Sequence, residues 1–389
     1  MPKYLHGTVA GVGLLGGGII LSVALAAPAA QAATETVLYS FQDNGTDGTH
    51  PWAGLINAAN TLYGTTTEGG TNSAGTVFSL DLKKGAETVL HSFGSGTDGI
   101  KPYAGLIKVK GMLYGTTYEG GSDGVGTVFS LDRKIGTEAV VYSFQDNGMD
   151  GNDPRAGLIK ASGMLYGTTW DGGADSDGTV FSLDPETGAE TVLHSFASGT
   201  DGSTPFDALI RVKGMLYGTT SYGGIDAVGT VFSLDRKTGT ETVLHFFGGG
   251  TDGSHPYAGL IDVNGTFYGT TDYGGTDGVG SVFSLDPKTS AETVVYSFQN
   301  QPDGGYPQAG LTSVNGTLYG TTFEGGTDGV GTVFSVDPTT GTETVVHSFQ
   351  NEPDGSYPYA GLIDVNGTLY GTTYDGGASG DGTVFSITP

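Results

Sequence analysis

One segment, repeated seven times, restricts what this chain can fold into more than anything else in it. The tyrosine of the motif Leu/Phe-Tyr-Gly-Thr-Thr falls at Tyr63, Tyr114, Tyr166, Tyr217, Tyr268, Tyr319 and Tyr370, in steps of 51, 52, 51, 51, 51 and 51 residues. A fixed period of this size marks a repeat architecture, and it overrides the two or three domains that 389 residues would otherwise suggest. Each copy reads as four short β-prone runs: Ala-Gly-Leu-Ile, then Leu-Tyr-Gly-Thr-Thr, then Gly-Thr-Val-Phe-Ser-Leu, then Glu-Thr-Val-Leu-His-Ser-Phe. A tight Asn-Gly or Lys-Gly turn joins the first two, and a glycine-rich loop the second and third. An Asp-Pro-x-Thr-Gly turn leads to the fourth, and a longer loop with Asp-Gly and Pro returns to the next copy.

No helical periodicity appears beyond the first 33 residues. Four short strands per period, seven times over, predict an all-β chain: a seven-bladed β-propeller of four-stranded blades. The repeats begin with a fourth strand lacking a blade, 35–41, and stop at a third strand lacking a fourth, 382–387. The two fragments complete each other, so 35–41 is expected to finish the last blade and close the ring.

The start of the chain has a different character. Lys3 precedes an apolar run from Val9 to Ala27, and Ala30-Gln31-Ala32 fits a small-x-small cleavage site. Residues 1–32 therefore read as a signal peptide and 33–389 as one propeller domain, secreted, periplasmic or extracellular, with no membrane span after cleavage. An uncleaved membrane anchor is the alternative, since the run approaches bilayer-spanning length. The chain has no cysteine, which removes thiolate metal sites, thiol nucleophiles and disulfides. Its net charge of −26 disfavours nucleic acid and anionic lipid as partners. Glycine, at 71 residues, follows no Gly-X-Y period, so the chain is not collagen-like.

The strand order resembles the kelch repeat, without the kelch tryptophan on the outer strand. Gly-Thr-Val-Phe-Ser-Leu-Asp-x-x-Thr-Gly resembles the quinoprotein propeller motif over a dozen residues. Across 35–389, the pattern Leu-Tyr-Gly-Thr-Thr…Gly-Gly…Gly-Thr-Val-Phe is similar to the GloVer tandem-repeat proteins, secreted bacterial "choice-of-anchor" proteins that end in various surface-sorting signals. This sequence ends at Pro389 just past a strand, so a C-terminal anchor is not expected. The resemblance implies no catalytic residues.

Positions identical in all copies are expected to serve packing, and the variable ones function. The glycine loops and return loops share one face of the disc, the expected working face. After each return-loop Pro come Trp52, Tyr103, Arg155, Phe206, Tyr257, Gln308 and Tyr359; after each Thr-Thr come pairs that include Tyr118-Glu119, Trp170-Asp171, Asp272-Tyr273, Phe323-Glu324 and Tyr374-Asp375. Aromatic faces with carboxylates suit sugar recognition, and they suit equally a mere plug for the channel. The ligand-binding candidates are Trp52, Tyr103, Tyr118, Glu119, Trp170, Asp171, Phe206, Tyr257, Glu324, Tyr359, Tyr374 and Asp375, with a glycan or a surface protein as partner of a monomeric ring.

Blades 3 to 5 depart most from the pattern. Arg155, Asp171, Asp207, Tyr222, Tyr273 and His255 are the candidates there for a polysaccharide lyase or glycoside hydrolase, a reading ranked below binding because no motif supports it. A purely structural surface protein is the third reading. No cofactor is expected. Calcium is the metal to weigh, with Asp43 and Asp47 as candidate ligands, although the bidentate Glu of a calcium loop is absent. His91, His194, His245 and His347 share a strand slot with Tyr39, Tyr142 and Tyr296, which reads as packing or surface.

Overall fold

The computed structural model describes residues 33–94 and 96–389; the expected signal peptide, 1–32, lies outside the described residues. Residues 33–389 form one seven-bladed β-propeller, and its seven four-stranded sheets are antiparallel throughout. In blade 2 the strands are Ile107–Val109, Met112–Thr117, Thr127–Asp132 and Glu138–Ser143, in that order from axis to rim. The first turn carries Lys110 at φ 50° and Gly111 at φ 97°, the two left-handed residues that a type I′ hairpin needs. Among the described residues the one helical element is a 3₁₀ turn at Gly250–Asp252, and no helix is long and apolar enough to cross a membrane.

The repeated letters do their work at the seams between blades. Phe144, at the end of one outer strand, meets the third-strand Phe181 of the next blade edge-on, with ring centroids 5.2 Å apart. The same edge-on pair recurs at all seven seams, from Phe41–Phe78 to Phe349–Phe385. Such pairs add about 0.5–1.5 kcal/mol beyond the area they bury. The glycine of Leu-Tyr-Gly-Thr-Thr makes room for that Phe: a Cβ on Gly115 would lie 2.7 Å from Phe129 Cζ and 2.9 Å from Leu106. The first Thr of Thr-Thr donates its hydroxyl proton to the carbonyl of the residue before the axial glycine or Ala208 in the next blade, as in Thr219 to Ala258 at 2.9 Å. Seven such bonds circle the axis, the last running from Thr372 to Ala53.

Closure follows the sequence expectation. Thr34–Ser40 pairs antiparallel with Thr383–Thr388, from Thr34 opposite Thr388 to Ser40 opposite Thr383. Phe41 N–H then donates to Gly382 O at 3.0 Å.

A polar joint runs beside each Phe pair. The outer-strand His or Tyr faces the Asp of the return loop and the Glu that opens the outer strand of the next blade. The four histidine joints are His91–Asp98–Glu138, His194–Asp201–Glu241, His245–Asp252–Glu292 and His347–Asp354–Glu35. In the other three, the hydroxyls of Tyr39, Tyr142 and Tyr296 donate at 2.7 Å to Asp47, Asp150 and Asp303. The slot that the sequence presents as packing or surface is thus a half-buried contact between blades, and it directly follows a β-bulge in the outer strand, between Val140 and Tyr142 in blade 2.

Candidate functional site

Around the axis the blades come so close that six of the seven copies place glycine there and the seventh Ala208, and at two of the glycines a Cβ would clash. A Cβ on Gly361 would lie 2.8 Å from Gly310 O, and one on Gly259 would lie 2.7 Å from Ala208 O. Above this collar the residues after each Pro form an inner ring that encloses a chamber of about 90 Å³ lined by Trp52, Tyr103, Arg155, Phe206, Tyr257, Gln308 and Tyr359. Asp207 hangs inside it. One of its oxygens accepts from Ala208 N–H at 2.6 Å and the other from Gly259 N–H at 2.7 Å, and burial raises its pKa despite both bonds.

The backbone that carries these rings is held in an unusual conformation. The residue before each ring Pro, His50, Lys101, Asp153, Thr204, His255, Tyr306 or Tyr357, has φ between 53 and 57°. A residue preceding Pro ordinarily prefers the extended region, so this geometry needs outside support. It comes from two blades at once: His255 N–H donates to Val228 O of the preceding blade at 2.7 Å, while its carbonyl accepts from Asp272 N–H at 3.1 Å. The mouth is therefore a rigid frame with variable side chains.

Outside the chamber a wider mouth of about 270 Å³ opens to solvent, lined by Trp52, Arg155, Trp170, Phe206, Tyr222, Tyr257, Asp272, Tyr273, Gln308 and Tyr359. Trp52 stacks on Tyr359 with centroids 3.7 Å apart, and Tyr103 and Tyr374 meet Trp52 edge-on at 5.3 and 5.5 Å. The Arg155 guanidinium lies 4.4 Å from the Trp170 ring centre and 4.6 Å from that of Tyr118, with Tyr103 and Phe206 each at 5.5 Å. Four aromatic faces thus hold one cation. Tyr222 and Tyr273 stand at the rim with large exposed faces, 41% and 45% accessible. The His255 ring sits edge-on to both, and burial lowers its pKa.

Of the twelve ligand-binding candidates, Trp52, Trp170, Phe206, Tyr257 and Tyr359 line the mouth. Tyr103 lines the chamber below. Tyr118 and Tyr374 pack behind the mouth-lining side chains, against Arg155 and against Trp52 and Tyr359. The candidate acids sit farther out. Glu119 pairs with Lys101 at 2.7 Å, and Asp375 with His50 at 3.4 Å. Asp171 accepts from Gly172 N–H at 2.7 Å, and Glu324 lines a side hollow with Tyr273 and Gln308.

Of the catalytic candidates, Arg155, Tyr222 and Tyr273 share the mouth. Asp207 lies in the chamber beneath, which Arg155 also lines, while Asp171 lines neither space. Asp47 accepts from Tyr39 and from its own loop at Gln42 and Gly48, and neither it nor Asp43 joins a cluster of three metal-type ligands among the described residues.

Sequence reasoning passed over two mouth residues. Asp272 is 2% exposed, accepts from Gln308 Nε2 at 3.1 Å, and burial lifts its carboxyl to about 6. The signal was present: Asp272 is the one acid in a slot otherwise filled by aromatics or hydroxyls, and Gln308 the one amide in the inner ring. Hollows of about 280 and 370 Å³ on the opposite face are lined by hairpin residues such as Lys110, Lys160 and Lys213, their aromatics held in blade packing.

Solved structures of similar shape share little sequence with this chain. An oligogalacturonate lyase in complex with manganese superposes with a TM-score of 0.59 at 12% identity, covering 92% of this chain and 96% of the lyase. An oligogalacturonate lyase from Vibrio parahaemolyticus gives 0.55 at 10% identity, covering 92% and 97%. The extracellular domain of a putative one-component system from B. thetaiotaomicron gives 0.58 at 12% identity, covering 90% of this chain and 39% of that one. At such identities the likeness is one of fold. No curated protein matches the sequence. The sequence matches the Gloeobacter/Verrucomicrobia repeat over residues 4–232 and 209–389, and the chain belongs to that repeat family.

Proposed function

We propose that this protein is a carbohydrate-binding module of the bacterial envelope or exterior, and that the axial mouth is its binding site. The observation that carries the reading is the mouth itself: exposed Tyr222 and Tyr273 faces on a rigid ring, beside the Asp272–Gln308 pair, in a space of about 270 Å³. An aromatic face takes the apolar side of a pyranose, and a carboxylate–amide pair accepts from and donates to its hydroxyls. A volume near the lower end of ordinary ligand sites suits one or two sugar units.

One feature favours binding over a chemical step. The Asp207 oxygens already accept two backbone N–H groups, and a lyase needs a free base.

The test uses the chain's own reporters. Its two tryptophans, Trp52 and Trp170, both line the mouth, so a sugar seated there must alter the intrinsic fluorescence. Titration with a panel of neutral and uronate oligosaccharides is expected to give a saturable change, abolished in Tyr222→Ala/Tyr273→Ala with the melting temperature retained. A panel that leaves the emission untouched refutes the reading. New ultraviolet absorbance from an unsaturated product during incubation with polyuronate would replace it with the lyase.

A further inference from the structure

The four histidine joints at the blade seams are not part of the mouth, and the proposed function makes no use of them. In each, the His nitrogen and one oxygen from each of the two carboxylates lie within 4.8 Å of one another. His Nε2 and Asp Oδ2 are 3.4, 3.2, 3.4 and 2.8 Å apart in the four joints. Two ligands that each sit about 2 Å from one tetrahedral ion are separated by about 3.3 Å, so in the joints of His91, His194 and His245 the His–Asp pair already has that spacing, whereas the 2.8 Å pair of His347 and Asp354 is hydrogen-bonded and must open slightly to admit an ion. The joints also hold buried polar atoms without partners. Oε1 of Glu35, Glu138, Glu241 and Glu292, with Nε2 of His91 and His245, is shielded from solvent and makes no hydrogen bond. Buried polar groups of this kind are ordinarily satisfied by a partner or an ion.

We propose that the four histidine joints are binding sites for a divalent transition-metal ion, each held by one imidazole and two carboxylates from two adjacent blades. The donor set fits such an ion: imidazole selects against calcium and magnesium, and two carboxylates balance the double charge. Three protein ligands leave a fourth position to water, and the histidines keep 18–21% of their side-chain surface exposed, so an ion can enter. An ion there would staple neighbouring blades together at the rim. In blade 7 it would fix the strand that closes the ring, because Glu35 belongs to that strand.

The molecule carries its own control. The other three joints keep the Asp and the Glu but put Tyr in the His slot, and the phenol donates its proton to the Asp at 2.7 Å. A neutral phenol in that position satisfies the Asp without supplying a ligand. The glutamate oxygen lacks a partner in those joints too, so the histidine is what distinguishes the two kinds. The fold accepts either residue, and exchanging them tests coordination without destroying the slot.

The experiment is metal counting on the full chain after chelation and dialysis against Zn²⁺. Each single replacement His91→Tyr, His194→Tyr, His245→Tyr or His347→Tyr is expected to lower the bound zinc by one equivalent and leave the circular dichroism unchanged. Tyr39→His, Tyr142→His and Tyr296→His are each expected to add one. Zinc is also expected to raise the melting temperature of the wild-type chain more than that of the quadruple His→Tyr variant. A zinc count that stays the same across all seven variants, or no bound zinc in the wild type, overturns the proposal and leaves the joints as polar contacts between blades.

Discussion

The seams and the mouth are each built from seven copies of the same positions, yet they use them in opposite ways. At the seams every copy has the same Phe pair, the same Thr-to-carbonyl bond and the same Asp and Glu. The mouth has Trp, Tyr, Arg, Phe, Tyr, Gln and Tyr in its inner ring. A seam residue must fit a neighbouring blade of the same shape, so one solution recurs. A mouth side chain meets its counterparts at the axis, where seven copies of one large side chain would collide or leave a void. Repetition therefore marks what holds the ring together, and departure from it marks what the ring displays.

That contrast can be broken experimentally, and the largest effect is expected at the closure. Removing residues 34–40 exposes the edge of the last blade and deletes one partner of the Thr34–Ser40/Thr383–Thr388 pairing. The shortened chain should lose its cooperative thermal transition; an unchanged melting curve would show that the ring closes by other means.

Next in size is the comparison of two phenylalanines. Phe232 is fully buried at a seam, and Phe232→Ala should cost about 3–5 kcal/mol in denaturant unfolding. Phe206 is only partly buried at the mouth, and Phe206→Ala should cost well under half of that, roughly 1 kcal/mol. Equal losses would erase the distinction between frame and display.

Smallest is a pH effect at a tyrosine joint. Burial, then the nearby Asp150, lifts the Glu190 carboxyl to about 8 from an ordinary 4.5. A carboxyl whose pKa is higher in the folded state supports the fold while it is protonated, and that support fades as pH rises from about 4.5 to about 8. Glu87 and Glu343, each raised to about 7, act in the same direction. The melting temperature should therefore fall between pH 5 and pH 8. Glu190→Gln should make that fall shallower, read by calorimetry at the two pH values; an unaltered slope would mean that the joint is better hydrated than its geometry implies.

The fold was legible because each blade is local. Strands, hairpins and glycine loops all lie within one 51-residue period, and the two orphan fragments at 35–41 and 382–387 announced their own pairing. The inner ring was legible as a set because its members follow a Pro at a fixed place. The seam joints were not, since His91 and Glu138 belong to different blades and nothing in either repeat points at the other. Nor did either repeat show that Asp207 would accept N–H groups from both Ala208 and Gly259, the second in the next blade.

The sequence by itself determined the number of blades, the four strands in each, the closing strand and the positions that vary, because these depend on period and on local turn chemistry. Only the tertiary structure decided which of those positions meet. The aromatic cage around Arg155, the buried acid Asp272 in the mouth and the His–Asp–Glu joints at the seams all arise from the curvature of the closed ring, which brings separate repeats to one point in space.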